Sequence, residues 1–154
     1  MTSFISKMRG FTLIELVLVL FLVSFLAVVV EIPSLSSNHG LQAASLKVRM
    51  DIRRAQQFAM TGNLNYGVNF SSNGTYSIYQ GSVGNVATDP LTNGSYQEDL
   101  PARFRNVSIQ APFQVEFDPV GRPVIGGGGS LTLISGGVSQ VVQVSSNTGA
   151  VNLP

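Results

Sequence analysis

One stretch limits what this chain can fold into more than any other. The run from Phe11 to Val30 is twenty residues long and carries a single charge, Glu15. As a helix rising about 1.5 Å per residue it spans about 30 Å, the hydrocarbon thickness of a bilayer. A carboxylate at mid-membrane costs about 3 kcal/mol or more. Glu15 lies one turn from the start of the run, near the interface and the positive end of the helix dipole, yet something specific is still needed to hold it there. Lys7 and Arg9 precede the run and read as a positive flank kept in the cytoplasm. A cleaved secretory signal has an apolar core of about 7–15 residues and a small-x-small site. This run is longer, and Phe25-Leu-Ala-Val-Val-Val-Glu31 offers no Ala-x-Ala pattern. Retention as a membrane helix is favoured.

Charged residues make up only 11% of the 154, while Gly, Ser, Asn, Thr and Val are abundant, which suits short strands and turns. A net charge of +1 directs no global field at nucleic acid or at an acidic partner. The chain has no cysteine, so it holds neither a disulfide framework nor a thiolate metal site. Its one histidine, His39, sits in a Ser/Asn/Gly stretch with no nucleophile pattern around it. Asp89, Glu98 and Asp99 lack the alternating oxygen donors of a calcium loop and read as solvated. We expect no enzyme, no cofactor and no metal.

Along the chain, Pro33 disfavours helix at the residue before it, and 34–40 is polar and turn-like, so 33–40 is expected to be a kink or linker. A second helix follows. Leu41, Ala44, Val48, Ile52, Ala55 and Ala59 recur at spacings of three and four and make one apolar stripe. Lys47, Arg49, Arg53 and Arg54 fall on the other faces and read as a solvated basic surface, with Lys47 and Asp51 paired weakly at i,i+4. Gly62 is the expected cap. The period then changes to two. Tyr66–Phe70 and Thr75–Tyr79 form a hairpin, 81–101 a long loop, Arg103–Gln110 and Phe113–Phe117 further strands. In the last of these Phe113, Val115 and Phe117 face one way and Gln114 and Glu116 the other. Asp118-Pro-Val-Gly121 is a turn, Gly126–Gly129 a connector without the residues of a phosphate loop, and Leu131–Ser135 with Val138–Ser145 another hairpin about Gly136-Gly137. Asn147-Thr-Gly149 leads into a short last strand, Ala150–Leu153.

Gly10-Phe11-Thr12-Leu13-Ile14-Glu15, behind a basic leader and ahead of a long apolar run, resembles the processing site of type IV pilins and type II secretion pseudopilins. The resemblance implies cleavage between Gly10 and Phe11 by a prepilin peptidase, N-methylation of Phe11, and retention of Glu15 for assembly. Losing Lys7 and Arg9 leaves seven basic residues against eight acids, so the formal charge moves from +1 to −1. The new amine and a Glu15 carboxylate one turn apart on adjacent helices would neutralise one another where water is scarce and fix the register between subunits. Further on, Arg54-Ala55, Gly62 and Phe117-Asp-Pro-Val-Gly-Arg-Pro123 are similar to minor pseudopilins and minor pilins of the GspH/FimT type.

The implied fold is α+β and pilin-like. A long N-terminal helix, membrane-spanning in its first half and amphipathic in its second, packs on a C-terminal antiparallel β domain of two sheets. The implied organisation is a leader at 1–10, a transmembrane and assembly helix at 11–32, a kink or linker at 33–40, an amphipathic helix at 41–62 and a periplasmic β-rich domain at 63–154. The implied protein is a minor pilin or pseudopilin. It would be single-pass in the bacterial inner membrane and partnered by other pilin subunits, prepilin peptidase, the inner-membrane assembly platform and the lipid bilayer, and would assemble at or near the tip of a type IV pilus or type II secretion pseudopilus. The alternative is a DNA-binding minor pilin for natural transformation. Nucleic acid is not expected, because beyond Arg54 only Arg103, Arg105 and Arg122 are basic and the tail from Ser145 has no cation.

Overall fold

The computed structural model describes residues 12–154, and the side chains of all of these except 26–38. The chain divides into two units, 1–35 and 36–154. The leader and the cleavage site lie outside the described residues.

Helix α1 runs from Leu13 to Gly62 without interruption. Residues 33–40, expected as a kink or linker, are helical, so the two expected helices are one. An interior proline costs about 3 kcal/mol, but extending an existing helix avoids the unfavourable nucleation that a second one requires. His39 accordingly sits on the helix, exposed, and not in a turn. The helix ends as expected, with a different residue at its end. Gly62 is the last helical residue, and Asn63 takes the left-handed conformation with φ 52°. Asparagine tolerates that region because its short polar side chain bonds locally.

All six stripe residues of the second half of α1 are buried. They share one core with the inner faces of two antiparallel sheets. The first sheet contains β1 (Tyr66–Phe70), β2 (Thr75–Gln80), β3 (Gln97–Asp99), β5 (Phe113–Phe117) and β6 (Pro123–Ile125), in the order β3-β2-β1-β5-β6. The second contains β4 (Ser108–Ile109), β7 (Ser130–Ser135), β8 (Val138–Val144) and β9 (Val151–Asn152), in the order β4-β7-β8-β9. Register follows the period-two pattern. Val68 lies between Ile78 and Val115, and Phe70 between Tyr76 and Phe113, so each row of apolar side chains points inward. In the second sheet Leu131 faces Val142 and Val144 faces Val151. Three of the six stripe residues are alanines, which lets the helix backbone come close to both sheets.

Three expectations about the β half need correction. Residues 81–101 are not one long loop. Tyr79 bridges to Val86 and Thr88 to Ser95, β3 pairs with β2, and a short helix α2 (Leu100–Arg103) follows, capped by the Asp99 carboxylate accepting from the Ala102 N–H at 3.0 Å. Buried Ala87, Tyr96 and Leu100 hold this arm to the core; single apolar residues in a Gly/Asn-rich stretch give no periodicity to read. Arg103–Gln110 contains only the two-residue β4, because α2 and the turn after it use the rest. Glu116 points away from the core row but is only 9% exposed. It accepts hydrogen bonds from Asn65 Nδ2 and the Tyr79 hydroxyl, both at 2.8 Å. Burial raises the Tyr79 hydroxyl above its ordinary range, and a bond donated by Gln114 Nε2 acts the other way.

Gly67 makes that arrangement possible. It sits between Tyr79 and Glu116 in the register, and a Cβ there would lie 2.4 Å from the tip of the Tyr79 ring and 2.6 Å from the Val115 carbonyl oxygen. Gly67→Ala is therefore expected to destabilise the domain by about 1–3 kcal/mol through overpacking. Equilibrium urea unfolding measures this, with Tyr79→Ala expected to remove part of the penalty in the double variant.

Candidate functional site

The expected site residues lie at the start of α1. Gly10 and Phe11 are outside the described residues. Glu15 occupies the first turn, where its backbone N–H donates to the Thr12 carbonyl at 3.1 Å and to Thr12 Oγ1 at 3.3 Å. Thr12-x-x-Glu15 has the spacing of a capping box, and the structure shows its threonine half. That spacing was a readable signal that Glu15 also belongs to a helix start. From Leu13 to Phe25 the side chains are exposed on every face, and Ser24 bonds back to the Leu20 carbonyl at 2.8 Å. A helix apolar all round is suited to lipid or to the interior of an assembly. Among the described residues no helix is long and apolar enough to cross a membrane; part of the run from Phe11 to Val30 lies outside the residues whose side chains are described.

The second half of α1 carries a polar cluster that periodicity did not reveal. Asp51 was expected to pair weakly with Lys47 at the surface. It is instead 2% exposed and takes three donors: Lys47 Nζ at 2.5 Å, the Tyr76 hydroxyl at 2.5 Å and the Tyr96 hydroxyl at 2.9 Å. Arg54 in turn donates to the Tyr96 oxygen at 2.6 Å, and Lys47 also meets Glu98 at 2.7 Å. Glu98 pairs with Arg103 at 3.2 Å. The cluster fastens α1 to β2 and to the 86–99 arm. Its members come from three separate segments, so no local spacing in the sequence could show it.

The three acids read as solvated have local duties. Asp89 accepts from the Leu91 N–H at 3.0 Å and from Thr92 Oγ1 at 3.2 Å, Glu98 is paired with lysine and arginine, and Asp99 caps α2. Among the described residues no group of three or more His, Asp or Glu is placed to hold a metal ion. The cations counted for nucleic acid are also partly committed. Arg103 pairs with Glu98, and Arg122 lies 3.4 Å from Asp118. The backbone N–H of Arg122 donates to Asp118 Oδ1 at 2.8 Å and holds that carboxyl below its ordinary range. An open cavity of about 430 Å³ on the first sheet is lined by hydroxyls, amides, Tyr76 and the acids of β3, and holds no nucleophile–base pair.

Burial, and then the Asp51 carboxylate, push the Tyr76 and Tyr96 hydroxyls above the ordinary 10.0. Both folded values are raised, so the stabilisation is complete below about pH 10 and is lost as pH climbs, because the unfolded chain releases protons that the folded chain keeps. Tyr76→Phe is expected to reduce that alkaline loss, measured as the difference in urea midpoint between about pH 9 and about pH 11. Asp51→Ala, which leaves Lys47 and two phenols short of their acceptor, is expected to cost about 3–5 kcal/mol at neutral pH.

Comparisons with known proteins agree with this geometry. Residues 5–30 match the family model described as the prokaryotic N-terminal methylation motif. The fold is similar to the crystal structure of type IV minor pilin FimU from Pseudomonas aeruginosa PAO1 in space group P21, with TM-score 0.57 and 16% identity, covering 78% of this chain and 92% of that one. The same protein in space group P65 gives TM-score 0.55 and 15% identity, covering 74% and 92%. No curated protein sequence matches the chain. The chain thus carries the prokaryotic N-terminal methylation motif at residues 5–30 and a fold similar to that of a type IV minor pilin.

Proposed function

We propose that the chain is a minor pilin or pseudopilin, a structural subunit and not an enzyme. In this reading prepilin peptidase cleaves between Gly10 and Phe11, the Phe11 amine is methylated, and the N-terminal helix is stored in the bacterial inner membrane with the β domain in the periplasm. The subunit then assembles at or near the tip of a type IV pilus or type II secretion pseudopilus, and Glu15 pairs with the amine of a neighbouring subunit. The observation that carries the proposal is the helix start itself. Its first described turns are apolar on every face, its one charge is Glu15 in the first turn, and the methylation motif overlies both. FimU, whose fold is similar, is a type IV minor pilin.

Two measurements test it. Intact mass and N-terminal sequencing from the native host should give a chain beginning at N-methylated Phe11 when prepilin peptidase is present, and at Met1 when it is absent. A Met1 start in both strains would sink the assignment. Glu15→Ala should leave membrane insertion unchanged and lower incorporation into filaments at least about tenfold, the loss expected of a coupling near 1.4 kcal/mol. Equal recovery of mutant and wild type in sheared filaments would remove the pairing.

A further inference from the structure

The face of α1 turned away from the core has its own pattern. Leu46, Met50, Arg53, Gln57 and Met60 follow at spacings of four, three, four and three, the seam of a helix that packs against another helix. None of the five is buried; Leu46, Met50 and Met60 are 49%, 60% and 50% exposed. Arg53 stands at the centre of the seam with no ion-pair partner among the described residues, and Arg49 beside it has none either. The Arg49 Nε is in addition buried without a hydrogen-bond acceptor.

Carboxylates are distributed in the opposite way. Asp51, Asp89, Glu98, Asp99, Glu116 and Asp118 each accept from a donor within the chain. From Leu41 to Gly62 the only acid is Asp51, and it is buried on the core side. A second copy laid parallel and in register would set Arg53 against Arg53. Glu31, the nearest acid upstream, would reach Arg53 only after an axial shift of about 33 Å.

We propose that this face docks an apolar helix carrying a carboxylate opposite Arg53, supplied by a different subunit and not by a second copy of this chain. The proposal rests on the assembly reading and names the partner's chemistry. The four apolar and amide residues of the seam favour a protein helix over a polyanion, because phosphate contacts need cations and not methionines.

The test uses the full chain in detergent micelles and two fluorescent three-heptad helical peptides. Both carry leucine along the seam; one has glutamate and the other lysine at the central position. The glutamate peptide should bind at least about tenfold tighter at low ionic strength. Arg53→Glu, an exposed substitution whose fold is checked by circular dichroism, should reverse the preference, and Met50→Asp should weaken both peptides. Equal binding of the two peptides, or a preference unchanged in Arg53→Glu, overturns the proposal. So does competition by unlabelled full chain as strong as that of the glutamate peptide, which makes the face homotypic, or displacement of the peptide by duplex DNA at equal concentration, which makes it a polyanion site. Any of these results with normal processing at Phe11 removes the docking face and leaves the assembly reading intact.

Discussion

Everything in the β domain depends on one stripe of α1 being able to touch two sheets at once. Among the described residues the sheets share no hydrogen-bonded strand pair, so what joins them is the core they have in common with the helix. Alanines at 44, 55 and 59 keep the helix slim where the sheets converge, and Val48 and Ile52 fill the middle. Gln56 adds a polar clamp at the flank. Its Nε2 donates to the Gly121 carbonyl at 2.7 Å and to the Thr148 carbonyl at 3.0 Å, one acceptor from the turn closing each sheet. Gly149 allows this approach. It has φ 66°, and a Cβ there would lie 2.6 Å from the Phe117 ring and 2.9 Å from the same Gln56 nitrogen.

The Asp51 cluster does a second job with the same helix. A buried carboxylate is weak evidence of stability, because its desolvation offsets much of what its partners return. Its consequence here is specificity of placement. Three donors from Lys47, Tyr76 and Tyr96 satisfy one carboxylate only when β2 and the 86–99 arm lie at one position along α1. The arm is rich in Gly, Asn and Thr and brings little apolar area of its own, so directional bonds define its position where packing would leave it loose.

What could be read from the sequence follows from this division. Periodic features were legible. The six-residue stripe, both hairpins and the Asp118–Gly121 turn are where spacing placed them, since each is fixed by neighbours within a few residues. Features fixed by distant residues were not. Lys47 and Asp51 have the spacing of a surface pair, and only Tyr76 and Tyr96, reached through the fold, make Asp51 interior. Glu116 alternates outward from Phe117 as a solvent-facing residue should, but Tyr79 and Asn65 close over it. Pro33 marked a break in isolation, whereas helix on both sides carries the chain through it. At Glu15 the motif was plain, while the capping role of Thr12 lay in the same four residues and was overlooked.

The domain core also bears on what the N-terminal helix is for. Among the residues whose side chains are described, that core begins at Leu41. The described turns from Leu13 to Phe25 are exposed, although they are strongly apolar. Large contiguous apolar surface marks a site of protein or membrane contact. Leu13–Phe25 presents such residues on every face, which suits a solvent other than water, whether lipid or the interior of a filament. In the proposed assembly a substitution at Glu15 acts on association, because Glu15 is exposed and is not among the described core residues.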